Sequence, residues 1–531
     1  MKYISRREEI LAKISDKAKA DAASKAADDQ VAINLAAAQP SLHADHPKPR
    51  TRRELLGAGL MSGLAYAMIP SIFTLTAQKA FAAPVCSKSG ESTGAIKTPG
   101  YLHLELSGGL AMSGNFMIGK QGFGADFAPL ASGGYAALGL GSSQIPGKVA
   151  LDAAIKGQFH PASAFLAGMK SVMSAEAMAK TVAVGMAGTS ADDSANNPLN
   201  PTQLVAKVNG LQGSLVQLVG SGSQPNTLGK TMPLNVAQDP GLAKAFIKDE
   251  ASLTNLVNPG LIATRFNKKT DASNITAELA HQLSASKLAV LQNKDIPQDV
   301  KDLVECGYLG AKDLVNLSAA ALTPSTDKIV SGTNFNALTF ASLNKPNTPS
   351  QKGLIMGKLL VDGNASCATI EVDGCDYHGK GRVAQDAKDF ICGQTVGIAL
   401  EIAHRKAAPL FVALTSDGSV SSQGAGGAAD RFDFTSDNGT HGMVMMIAIG
   451  STERPNTKSL QIGAYNDAGA VDSTVASLTA KTAAAQALCI AYNYAAFSGR
   501  MAQFESTLSA SGTANPFKGA ESTYLAFEPK V

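Results

Sequence analysis

Four residues in the second half of the chain have the types and placement that a divalent cation uses: Asp376, His378, Asp417 and His441. Asp376 and His378 stand in Gly374-Cys375-Asp376-Tyr377-His378, Asp417 in Thr415-Ser416-Asp417-Gly418, and His441 in Thr440-His441-Gly442. Two carboxylates and two imidazoles suit Zn, Mn or Fe. An ion held by them would acidify a bound water or polarise a phosphoryl or sulfuryl oxygen, which is the chemistry of ester hydrolysis. Each segment also has a plainer reading. An Asp can close its own turn, Asp-Gly is a common turn pair, and a core histidine can be satisfied by its neighbours. What raises the metal reading is that the segments all fall at the ends of apolar runs.

Those runs are the elements that must position the four residues. Residues 101–106, 181–186, 369–372, 409–415 and 443–449 read as strands, each a short apolar stretch. The first ends in Ser107-Gly108-Gly109, with Ser113 and Asn115 shortly after it. Helical patterns at 161–178, 384–405 and 475–497 alternate with the strands. Short apolar strands between helices predict a mostly parallel sheet covered on both faces, with its site at the strand-end loops. Residues 202–350 read as a largely helical insertion, with 242–256 and 277–291 the better helices. Gly122-Phe123-Gly124 is only a fragment of a dinucleotide-binding fingerprint and lacks the strand and helix around it.

Charge narrows the partners. The chain carries +3, but its first 82 residues hold 12 basic and 8 acidic side chains, which leaves 34 basic and 35 acidic in the rest. A nearly neutral body without a basic stripe argues against nucleic acid. The six cysteines, Cys86, Cys306, Cys367, Cys375, Cys392 and Cys489, contain no C-x-x-C. Cys367 and Cys375 could bridge one loop, buried free thiols are the alternative, and the pairing is open.

The amino-terminal part has its own organisation. A polar leader spans 1–50, and a signal-like segment spans 51–82. The latter opens on Arg52-Arg53, runs through an uncharged Gly/Ala-rich stretch, and ends with Ala80 and Ala82 in an A-x-A cleavage pattern. Paired arginines before a mild apolar core resemble a twin-arginine signal peptide, which implies the twin-arginine translocase as partner and a periplasmic or secreted product. The other reading is a retained membrane anchor at 55–78, long enough to span about 30 Å of hydrocarbon. A linker at 83–99 then leads to a single α/β domain over 100–531.

The order of these motifs resembles a family of twin-arginine-exported proteins of unknown function, numbered fifteen-oh-one, which is related in fold to alkaline phosphatases and sulfatases. The resemblance covers roughly 100–205 and 350–450. The family's G-G-x-D-G-x-N is matched by Gly108-Gly109 and Gly114-Asn115, without the Asp. Its His-Pro-Ala segment looks like His160-Pro161-Ala162, and its G-x-D-T-H looks like 374–378 with Tyr377 for Thr. Its Thr-Ser-Glu looks like Thr415-Ser416-Asp417, and its D-H-G keeps only His441-Gly442. Its Arg-Ser-His segment has no counterpart.

The resemblance implies an alkaline-phosphatase-like fold and metal-ligand roles for Asp376, His378, Asp417 and His441. It implies a remnant of a second position near Ser113 and Asn115, where neutral groups replace the missing acid. One divalent ion (Zn, Mn or Fe) at most is then expected. The expected function is a catalytically degenerate exported protein with a binding or structural role. The alternative is a periplasmic metal-dependent hydrolase of phosphate or sulfate esters.

Overall fold

Apolar runs that are buried on both sides pair into one sheet. The computed structural model describes residues 98–120, 127–189, 200–209, 216–221, 244–256, 319–332, 334–416, 418–426 and 431–530. Among these, eight strands follow the order β10-β2-β9-β6-β1-β5-β3-β4. They are β1 (Gly100–Leu106), β2 (Thr181–Ala187), β3 (Val216–Gly220), β4 (Lys244–Phe246), β5 (Ala365–Val372), β6 (Leu410–Ser416), β9 (Met443–Ile449) and β10 (Gln461–Ile462). All neighbours are parallel except β9, which runs against both β2 and β6. Two further strands, β7 (Val420–Ser422) and β8 (Phe434–Asp437), pair with each other outside this sheet. The chain is therefore α/β with a mostly parallel sheet.

The two faces of the sheet have separate cores. Leu102, Leu104 and Leu106 join one cluster, together with Val412, Leu414, Ile370 and Ile447. Tyr101 belongs to the other, with Phe411, Ala413, Val444 and Met446. This is the period-2 alternation of strands buried on both faces. Each fully buried Leu or Ile contributes on the order of 2 kcal/mol. Helices α1 (Ala164–Lys170), α3 (Pro349–Val361) and α4 (Arg382–Arg405) supply the first cluster. Helices α2 (Thr202–Val208), α5 (Ala483–Ser498) and α6 (Met501–Ala510) supply the second.

Helix α4 is held between α1 and α3 at backbone distance. A Cβ on Gly168 would overlap Phe390 O, and one on Gly393 would overlap Phe165 O. On the other side, a Cβ on Gly353 would lie 2.8 Å from Thr395 O, and one on Gly357 would lie 3.0 Å from Ala399 Cα. Small residues let these helices approach until side chains no longer separate them.

One polar chain crosses the sheet interior. Tyr101 Oη lies 3.1 Å from His103 Nδ1, and His103 Nε2 lies 2.9 Å from Thr415 Oγ1. Burial pushes the His103 imidazole down to about 3. The ring is neutral in the folded chain because burial penalises its charged form.

Several elements differ from the sequence expectation. The insertion is not simply helical, because β3 and β4 come from it and extend the sheet. Where a helix was expected over 242–256, the chain forms β4 and then a 3-10 turn at Ala251–Leu256. Parallel pairing with β3 satisfies this backbone, a tertiary contact that local propensity does not contain. Asp249 then starts the turn, with its Oδ1 accepting from Ser252 N at 2.8 Å. The helix expected over 161–178 is two pieces, α1 and Ala175–Ala179, because Ser174 caps the second piece and bonds Glu401. The helix expected over 475–497 divides at Thr482, whose hydroxyl accepts from Ala485 N. The expected helix over 277–291 lies outside the described residues, as do the leader, the signal segment with Arg52, Arg53, Ala80 and Ala82, and the linker up to 97. No described helix is long and apolar enough to cross a membrane.

Candidate functional site

The strand register decides which loops can meet. Leu106 at the end of β1 is level with Val372 of β5 and Ser416 of β6. Ala187 at the end of β2 is level with Met443 at the start of β9. Because β9 is antiparallel, its leading loop lies on the edge where the parallel strands finish. The carboxyl ends of β1, β2, β5 and β6, and the loop before 443, therefore share one edge. This is the edge where open α/β sheets bind ligands.

Backbone bonds stitch the edge together. Cys375 N donates to Ser107 O at 3.0 Å, and Tyr377 N donates to Gly109 O at 3.2 Å. Gly108 and Gly109 have φ of +114° and +91°. A Cβ on Gly108 would lie 2.7 Å from Asp376 Cβ, so the Gly pair serves both the turn and the close approach. Ser416 Oγ accepts from Leu110 N at 2.9 Å and donates to Leu106 O at 3.1 Å. A depression of about 10 Å³, the space of one water, opens beside it between Gly188, Thr189, Gly418, Gly442 and Gln486.

The loop after β5 alternates. Cys375 and Tyr377 are buried, whereas Gly374, Asp376, His378 and Gly379 are exposed. The two expected ligands thus face outward, and the residues between them plug the core. Asp376 Oδ1 accepts from His378 N at 2.9 Å, closing its own turn. His378 Nδ1 lies 3.6 Å from Asp437 Oδ2, an exposed pair. His441 is buried, with Nδ1 at 3.2 Å from Thr440 Oγ1. Burial lowers its pKa, and the backbone at Ala468 opposes this. Asp417 lies outside the described residues. The fold therefore brings the segments of Asp376, His378 and His441 to one edge. Among the described residues, however, no three His, Cys, Asp or Glu side chains are grouped to hold an ion.

Asn115 is committed to the interior. Its Nδ2 donates to Asp389 Oδ2 at 2.8 Å, and its Oδ1 accepts from Ser163 Oγ at 2.9 Å and Phe165 N at 3.3 Å. Tyr377 Oη donates to the other oxygen of Asp389. Burial pushes the Asp389 carboxyl up to about 7, against the pull of Arg382 and of these two hydrogen bonds. Ser113 Oγ is buried and has no hydrogen-bond partner among the described residues.

A second polar layer lies beside this one. Asp386 Oδ1 receives Arg382 Nε at 3.0 Å and Arg431 Nη2 at 3.1 Å. Arg382 also stacks over Phe434, 5.1 Å from the ring centroid. Its backbone N donates to Asp433 Oδ1 at 2.7 Å, which ties the start of α4 to the segment before β8. His160 is buried, bonds Gln144 O through Nε2 at 3.0 Å, and is pushed down to about 4 by burial.

Tyr377, Arg382, Asp386 and Asp389 were not among the residues singled out from the sequence. The last three recur at i, i+4 and i+7 along α4, a polar stripe on one helix face that could have marked them. Together they make a proton-holding, hydrogen-bonded layer beneath the edge.

The cysteines do not bridge in the way the spacing suggested. Cys367, Cys375, Cys392 and Cys489 are all free and buried. Cys367 sits in β5 level with Tyr101, whereas Cys375 donates to Val372 O at 3.2 Å.

No protein-family model matches the chain, and neither does any curated protein or solved structure.

Proposed function

We propose that this is an exported protein with an alkaline-phosphatase-like fold, whose strand-end edge serves a binding or structural role rather than hydrolysis. The observation that carries this reading is how the edge uses its polar side chains. The Asp376 carboxylate closes its own turn, His441 bonds Thr440, and Asn115 is joined to Asp389, Ser163 and Phe165. In these arrangements the described side chains do not fit a divalent cation. Fold alone does not dictate function, so the reading stands on these side chains. Export rests on Arg52, Arg53 and the Ala80/Ala82 pattern, with the twin-arginine translocase as partner.

One observation favours the hydrolase reading. The segments of Asp376, His378 and His441 share an edge with Ser416 and Gly418, which bracket Asp417 and border the depression. Metal analysis of the purified mature chain, beside a chromogenic phosphate- and sulfate-ester screen with Zn, Mn and Fe added, separates the two. The expected result is no more than one ion per chain and no turnover above the metal blank. Two ions per chain with ester turnover would establish the hydrolase instead.

A further inference from the structure

We infer that the β7–β8 hairpin is a cover over the start of α4, and that it opens as a unit while the eight-stranded sheet stays folded. Among the described residues its two strands pair only with each other, with a register irregularity between Ser421 and Ser422. A lone two-stranded ladder is marginal in water. The hairpin therefore depends on what fastens it to the rest of the chain.

The fastening is a clasp around Phe434. Its fully buried ring lies against Gly114 and Gly139, where a Cβ would stand 2.9 Å and 2.5 Å from Phe434 Cζ. Its backbone N donates to Gln385 Oε1 at 3.3 Å, and its O accepts from Gln385 Nε2 at 3.0 Å. Just before β8, Phe432 N donates to Gly139 O at 3.0 Å. Arg431 Nη1 donates to Ala162 O at 2.6 Å and to Asp386 Oδ2 at 3.2 Å. Asp386 also receives Arg382, so one carboxyl group ties Arg431 to α4.

The closed clasp leaves polar groups dry. Arg382 Nη2 and Arg431 Nε are buried and have no hydrogen-bond partner among the described residues. A buried donor without a partner penalises the closed state, and water reaching it on opening removes the penalty. Little apolar burial opposes this. Within the two strands only Val420 and Phe434 are apolar, and the rest are Ser, Thr and Asp. Release of the hairpin thus forfeits a small part of the core, the condition for opening below the free energy of global unfolding. Opening bares both guanidinium groups and uncovers Tyr377, whose ring centroid lies 6.2 Å from that of Phe434.

The test is native-state hydrogen exchange of the full chain, read by mass spectrometry at guanidinium concentrations below the unfolding transition. Peptides covering 419–426 and 431–437 should exchange through an opening that responds weakly to denaturant, because it exposes little surface. Peptides covering β1, β5 and β6 should show the steep response of global unfolding. Asp386→Asn, which removes the shared charge, should speed exchange in the hairpin by roughly tenfold or more, the scale of a weakened hydrogen bond to a charged group. The β1 peptides should keep their steep response in that variant. Hairpin peptides of the parent chain that follow the same steep response as β1 would overturn the inference, whether or not the variant folds. A folded Asp386→Asn chain with unchanged hairpin exchange would overturn it as well.

Discussion

Asn115 Nδ2 donates to Asp389 Oδ2 at 2.8 Å in a fully buried setting, joining the turn after β1 to the helix after β5. The same Asn accepts from Ser163 and Phe165 at the start of α1. A single amide therefore satisfies three groups from two other segments. Asn115→Leu has similar bulk but takes their Asn115 partner from a carboxyl oxygen, the hydrogen of a hydroxyl and a backbone N–H. Destabilisation by about 2–4 kcal/mol is expected, since each buried polar group left unsatisfied costs roughly 1–3 kcal/mol. Urea titration should show a lower midpoint with an unchanged slope. An unchanged midpoint would mean that water replaces the amide freely.

The α1–α4 crossing makes a second prediction. Gly168→Ala and Gly393→Ala each place a methyl group on a carbonyl oxygen of the facing helix. Each should cost roughly 1–3 kcal/mol or more, the range for overpacking a tight interior. Gly133→Ala is the control, because a Cβ there meets nothing within 4 Å. It should change stability by less than about 1 kcal/mol, the scale of helix propensity. Thermal melting of the three variants checks the ranking, and equal losses would contradict it.

His103 sets a pH dependence. Its folded value of about 3 lies below the ordinary 6.5. The unfolded chain therefore takes up this proton first as the medium is acidified. The contribution is present in full above about 6.5 and is lost as the pH falls from there toward 3. His103→Gln removes the titration. The stability gap between parent and variant should shift in the variant's favour by up to about 1.4 kcal/mol per pH unit below 6.5. Urea midpoints at neutral and mildly acid pH measure it, and a constant gap would disprove it.

Export makes the fourth prediction. Changing both Arg52 and Arg53 to Lys should leave full-length precursor in the cytoplasm. Immunoblots of cell fractions give the answer, and mature protein still appearing outside the inner membrane would refute the twin-arginine reading.

Strands β1, β2, β6 and β9 were legible because each is an apolar run buried on both faces, a pattern present in composition alone. The direction of β9 was not, since a run of Met, Val and Ile reads the same whichever way its neighbours point. β3 and β4 are short, and β4 is held by pairing that no local window contains. At the edge, the meeting of the loops was legible from the strand boundaries. The fate of the side chains was not, because D-x-H reads identically whether its flanking residues anchor it or its own acid does. Tyr377 in place of Thr was the available clue, since a large ring with a hydroxyl in a tight loop needs an interior and a partner there.

The alternation of the loop after β5 has an evolutionary consequence. Its inward positions, Cys375 and Tyr377, carry the attachment to the fold, while the side chains at its outward positions, Asp376 and His378, are exposed and Asp376 lies against Gly108. The two sets can drift under separate selection. Chemistry at the outer positions can be erased, regained or exchanged without renegotiating the architecture beneath, which makes this loop a natural place to graft a new activity onto the scaffold.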